Sequence, residues 1–160
     1  MTKSAAHNMK ALKTVVLNAV KDDCFKTWLF IATTQSGEFR IGLLGQKVEV
    51  VSGQGKSHKI LPALARRITP QKIKRLDGIC VVSGPGSFTA VRTGVLVANL
   101  LARYFAKPLV GVSLDEAQDL EKLGRELAAH VHKPVRYVAP VYFAEPNIIL
   151  KSKTGVQCYV

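Results

Sequence analysis

The 160-residue chain is 48% apolar and 21% charged, and 23 Lys and Arg against 11 Asp and Glu give it a formal charge of +12. This composition excludes global disorder, and the length suits one domain with at most a small appendage. The charge favours polyanions (nucleic acid, phosphorylated metabolites or acidic protein surfaces), while the scattered Cys24, Cys80 and Cys158 supply neither a CxxC zinc pair nor a disulfide framework and read as buried thiols.

Residues 1–26 form an N-terminal extension. Leu12, Val15, Val16 and Ala19 recur at the spacing of one helical face, so an amphipathic helix packed on the domain is expected. An organelle-targeting segment is the alternative, and the lack of arginine counts against it. No apolar signal core opens the chain, and its longest apolar run, 94–102, is short and interrupted by Asn99. A cytoplasmic protein with no membrane segment is expected.

From Thr27 the texture is strand-like. TWLFIATTQ and EFRIGLLG flank a Ser36-Gly37 turn, and KVEVVS follows Gly45-Gln46, which predicts a three-strand meander. SHKILPALARRI predicts a helix over 57–69 with Ser57 as N-cap and Pro62 early. RRITPQKIKR then holds Arg66, Arg67, Lys72, Lys74 and Arg75. It reads as a solvated loop or as an anion- or RNA-facing patch, without aromatic residues for base stacking.

LDGICVVS is a continuous apolar run, as in a strand buried on both faces. A glycine-rich loop follows, then a helix over 87–106 ended by Pro108, then the strand PLVGVS, which together make a parallel crossover. SLDEAQDLEKLGRELAAH predicts a helix whose Ser113 and Glu116 form a capping box. PVRYVAPVYFA and IILKSKTGVQCYV read as short strands, the latter around a Thr154-Gly155 turn. A meander followed by strand-helix-strand units implies an α/β sheet of mixed direction. His130 and His132 lack partners for a ligand set, so no metal residues are assigned.

Within the loop, Gly84 and Gly86 permit unusual φ and close approach, Pro85 stiffens the turn, and Ser87 or Thr89 can cap the next helix. The same helix N–H groups could hold a phosphate. A Walker loop needs a Gly-Lys-Ser/Thr ending and a dinucleotide loop needs a third glycine at position 89, and neither condition is met. The helix behind the loop is apolar on more than one side. Its polar stripe is narrow, comprising Arg92, Asn99 and Arg103 with Leu96 among them, and Gly94, Ala98 and Ala102 form a small-residue ridge that admits a close neighbour.

The stretch SGPGSFTAVRTGVLVANLLARYFAKPLVGVSLDEA resembles the signature of the TsaB (YeaZ) family, whose pattern is close to GPGSFTGLRIG, an Ala-rich helix and PLVGVSSLEAL. SHKILP is similar to its HSE-x-LLP segment and PVYFAEPNI to its Tyr-x-x-x-Pro-Asn ending, so the likeness runs over 28–118 with an echo at 141–148. The resemblance implies a single actin-like ATPase (RNase H-like) lobe over 27–113, with a rudimentary second lobe in 114–160. It also implies a non-catalytic partner of a TsaD-type catalytic subunit in the bacterial machinery that makes threonylcarbamoyladenosine in tRNA. A TsaE-type ATPase joins that complex, tRNA is met through it, and ATP is used by the complex rather than bound by this chain alone. Helices 57–69 and 87–106 would build the shared helical interface, or a homodimer when the chain is alone. Partner contacts are therefore expected at Leu61, Leu64, Ile68, Val91, Gly94, Val95, Ala98, Leu101 and Ala102.

The departures are specific. Ala32 stands where the family's first strand ends in Asp, Ala90 replaces a Gly, Asn99 replaces a Lys, and no His-x-x-x-His pair of the TsaD type is present. No catalytic residue is assigned, and the loop is expected to turn the chain and set the helix for docking. Two other classes stay open: a small nucleotide-binding hydrolase or kinase-like fragment using Gly84, Gly86, Ser87 and Thr89, and a free-standing basic RNA-binding domain.

Overall fold

The computed structural model describes residues 26–34, 37–55 and 59–142, with the backbone of 149–151 and 157–159. Residues 1–25, and with them the helix expected there, lie outside the described residues, as do Ser36, Ser57, the Thr154-Gly155 turn and the Pro146-Asn147 ending. The elements in order are β1 (Trp28–Ala32), β2 (Glu38–Leu44), β3 (Val48–Gln54), α1 (Ile60–Arg67), α2 (Pro70–Arg75), β4 (Gly78–Gly84), α3 (Phe88–Tyr104), β5 (Leu109–Ser113), α4 (Leu120–Ala128), β6 (Ile149–Lys151) and β7 (Gln157–Tyr159).

β1 to β5 make one sheet in the order β3-β2-β1-β4-β5, and β6 pairs with β7 antiparallel. The meander is antiparallel, with Ile31 opposite Ile41, and the second half is parallel, with Ile31 also opposite Val81. β1 is central, and its five residues are all buried. Alternation sends Leu29 and Ile31 into one core with residues of α1, α2 and α3, and Trp28, Phe30 and Ala32 into the other with Leu123 and Leu127 of α4. The lobe is therefore three-layered, α/β/α, as expected for a mixed-sheet RNase H-like unit.

Three local expectations are corrected. First, the segment after α1 is not a loop. Thr69 Oγ1 accepts from Lys72 N–H at 3.3 Å and Pro70 opens α2, so the chain turns once and starts a second short helix, with Ile68 and Ile73 buried beneath it.

Second, the Ser113–Glu116 capping box forms, with Ser113 N–H donating to Glu116 Oε2 at 2.6 Å and Glu116 N–H to Ser113 Oγ at 3.2 Å, yet it closes a single turn. The Glu116 carboxyl is held below its ordinary range chiefly by the Ser113 N–H, then by the Ser113 hydroxyl. α4 starts only at Leu120, because Asp119 Oδ1 accepts from Lys122 N–H at 2.9 Å and caps it.

Third, 134–142, the described part of the expected strand 134–144, is not a strand. Pro134 and Pro140 interrupt a strap over 131–142 whose bridges among the described residues are two isolated ones, Val135 with Leu109 and Tyr142 with Gly86. At its start His132 Nε2 meets Glu126 Oε2 of α4 at 3.1 Å. No helix among the described residues is long and apolar enough to cross a membrane.

Candidate interaction face

The glycine-rich loop is filled by its own chain. Ser87 N–H donates to Thr34 O at 2.9 Å, and Val141 N–H donates to Ser83 O at 2.7 Å. Gly84 has φ 123°, and a Cβ there would lie 2.1 Å from Val141 O; a Cβ on Gly86 would lie 2.5 Å from Thr34 O. The glycines thus admit backbone from the strap and from the end of β1. Neither expected hydroxyl cap forms. Ser87 Oγ is buried without a partner among the described residues, and Thr89 sits exposed inside the first turn of α3. Gly84→Ala combines a disfavoured φ with a backbone clash and is expected to destabilise the lobe by about 2–3 kcal/mol, read as a lower urea midpoint at unchanged slope. An unaltered midpoint would mean that the 141 backbone is not held over the loop.

α3 is fastened to the sheet by contacts that use its smallest residues. Thr33 Oγ1 donates to Ala90 O at 2.8 Å, and a Cβ on Gly94 would lie 2.0 Å from the same Thr33 Oγ1. Ala98 is fully buried and Ala102 nearly so. The ridge of Gly94, Ala98 and Ala102 therefore lets α3 approach its own sheet. Of the residues expected to contact a partner, Leu64, Ile68, Val91, Gly94, Val95, Ala98 and Ala102 are instead buried in the core, Leu101 is half-buried, and Leu61 alone is well exposed.

The opposite side of α3 is open. Phe88, Leu96, Leu100 and Tyr104 are 40%, 54%, 59% and 82% exposed, and with Arg92 they recur every fourth residue along one ridge. Arg92 lies over the Phe88 ring with its guanidinium carbon 5.8 Å from the centroid, and Tyr142 stacks on the same ring at 4.7 Å. Beside the ridge runs a cleft of about 610 Å3 lined by Leu96, Leu100, Arg103, Lys107, Val135 and Tyr137. The surface combines exposed apolar side chains with the cations Arg92, Arg103 and Lys107.

Asn99 is the residue whose role sequence reasoning missed. Its Nδ2 donates to Val138 O at 3.0 Å and its Oδ1 accepts from Val138 N–H at 3.1 Å, so one amide side chain serves the strap as a strand neighbour would. A lone amide in an apolar helix is the signal that could have flagged it.

Among the described residues no group of three His, Cys, Asp or Glu side chains is placed to hold a metal ion. Ala32 lines a cleft of about 300 Å3 at the end of β1 together with Thr34, Glu38, Arg40, Ser52 and Gln118, so a methyl group stands where the resemblance places a carboxylate. Cys80 is fully buried on β4, and burial pushes its thiol well up, with the Glu116 charge adding to the effect, which makes it a packing residue and a poor nucleophile.

The family model of TsaD, tRNA N6-adenosine threonylcarbamoyltransferase, matches residues 52–137. The tRNA N6-adenosine threonylcarbamoyltransferase of Fervidobacterium nodosum is 43% identical over 58 residues, which is 34% of this chain and 17% of that protein. Among solved structures, YeaZ from Pseudomonas aeruginosa superposes with a TM-score of 0.50 at 22% identity, covering 57% of this chain and 47% of YeaZ. A Pseudomonas aeruginosa protein described as similar to peptidase YeaZ gives 0.45 at 24% identity over the same shares. The chain therefore spans about half the length of YeaZ and a much smaller part of the Fervidobacterium protein. The likeness to YeaZ establishes the fold of the lobe.

Proposed function

We propose that this chain, which belongs to the TsaD (tRNA N6-adenosine threonylcarbamoyltransferase) family, acts as a non-catalytic subunit in threonylcarbamoyladenosine formation on tRNA, docking a TsaD-type catalytic subunit through the open ridge of α3. A TsaE-type ATPase and tRNA are the further members of the assembly, and ATP is consumed there rather than held by this lobe. The observation that carries the reading is the exposure of Leu96, Leu100 and Tyr104 on a helix whose other side is fixed to the sheet. Covering each of these side chains is worth about 1.5–3 kcal/mol. Two features support a non-catalytic role: Ala32 in the place where the TsaB pattern has an acid, and a glycine loop already occupied by backbone.

The test is association of the purified chain with its organism's TsaD-type subunit, followed by calorimetry. Leu100→Glu is expected to weaken binding by about 100-fold or more, since an unpaired carboxylate would be desolvated at the centre of the face. Val48→Glu, at an exposed apolar position on β3, serves as the control and is expected to leave binding unchanged. Full affinity in Leu100→Glu, or equal loss in the control, would rule out docking through α3.

A further inference from the structure

From Val50 to Leu76 the chain contains no Asp or Glu. The structure gathers the cations of that stretch onto a rigid frame. Arg66 and Arg67 occupy the last turn of α1, and Lys72, Lys74 and Arg75 the last turn of α2, all exposed. The two helices are held close together by the Thr69 cap, and Arg67 and Lys72 line one cleft over β2 and β3. Lys107 extends the cluster, its ammonium donating to Lys74 O at 2.6 Å.

Among the described residues no ion pair involves these cations, although Glu49 lines the same cleft. Asp77, the next carboxylate along the chain, accepts from Thr27 N–H at 2.7 Å. The negative ends of two helix dipoles favour nearby cations by about 0.3–1 kcal/mol each. That effect explains a cation or two and leaves a cluster of five repelling charges unexplained.

The apolar side chains of this segment point inward: Ile68, Ile73 and Leu76 are each 4% exposed. A protein partner would need outward anchors at the centre of its contact, and this surface offers none among the cations. Leu61, the exposed apolar residue of α1, stands roughly 120–140° round the helix from Arg66 and Arg67. Cations on a fixed frame, without aromatic stacking groups, match a phosphate backbone.

We infer that the exposed ends of α1 and α2 form a binding surface for the phosphate backbone of tRNA. The choice of tRNA among polyanions rests on the function proposed above; the cationic surface does not, and it lies apart from the α3 ridge. The experiment uses the full chain alone with an unmodified tRNA transcript, so failure of docking and failure of this surface are read separately. Titrations across salt from about 50 to 200 mM give the slope of log K against log salt. The triple variant Arg66→Gln, Arg67→Gln, Lys72→Gln is expected to weaken binding at least about 10-fold at the low-salt end and to reduce the slope by about 2–3. The triple variant Lys47→Gln, Arg125→Gln, Lys133→Gln removes equal charge from exposed positions elsewhere and is expected to change affinity less than about 3-fold. Both should keep the parent thermal midpoint, since every substituted side chain is exposed. Absence of saturable binding by the parent chain at low salt, or equal weakening by the two triple variants, overturns the inference.

Discussion

Ala98→Arg is expected to leave no folded protein at room temperature. Ala98 is fully buried where α3 meets the sheet, and the same core holds Ile31, Val81 and Leu109. A guanidinium there has no carboxylate to meet, and its long stem overfills a site shaped for a methyl group. Buried unpaired charge and overpacking each cost several kcal/mol, so their sum exceeds about 5 kcal/mol, most or all of a small domain's stability. Circular dichroism and urea titration would register the loss. Leu100→Arg, two residues further on but on the open side, should move stability by no more than about 0.5 kcal/mol. Together the pair decides which side of α3 faces out. A cooperative, parent-like Ala98→Arg protein would show that the small-residue ridge is not inside.

Asn99→Ala should release the strap. Val138 is 5% exposed, and both of its backbone groups are satisfied by the Asn99 amide. Truncation leaves a buried N–H and a buried carbonyl without partners, at about 1–3 kcal/mol each. Global stability should fall by about 2–4 kcal/mol, and amide exchange over 131–142 should accelerate well beyond that of β1 and β4. Asn99→Lys restores the residue usual in the TsaB pattern. An ammonium can donate to Val138 O but cannot accept from Val138 N–H, so an intermediate rate is expected. Parent-like exchange in Asn99→Ala would mean that the amide pair contributes nothing to holding the strap.

The sheet was the most legible part of this chain. Trp28 to Ala32 is apolar at every position, which only a strand covered on both faces tolerates, and the turns at Gly37 and Gly45 divide the meander at their observed places. Helix boundaries were harder, because rival signals stood side by side. Ser113 with Glu116 and Asp119 with Lys122 are both sound starts, and burial of Leu123 and Leu127 under the sheet favours the later one. Thr69-Pro70 announces a helix as plainly as any pair in the sequence, but the surrounding cations read as loop. The orientation of α3 was not legible at all. Periodicity shows apolar residues on several sides and is silent on which side meets Thr33, a contact between residues 57 or more positions apart in the chain. The family resemblance drew attention to this helix as an element and left its outward residues to be found in three dimensions.

The strap also bears on solubility. β5 ends the sheet on one side, and an uncovered terminal strand offers its backbone to any stray chain. Here the neighbour is a segment that cannot zip onto it, since Pro134 and Pro140 interrupt the donors and a side-chain amide takes the place of a ladder. The border is thus closed without being extended. Protein that loses this cover should accumulate as aggregates seeded at β5 before its interior melts.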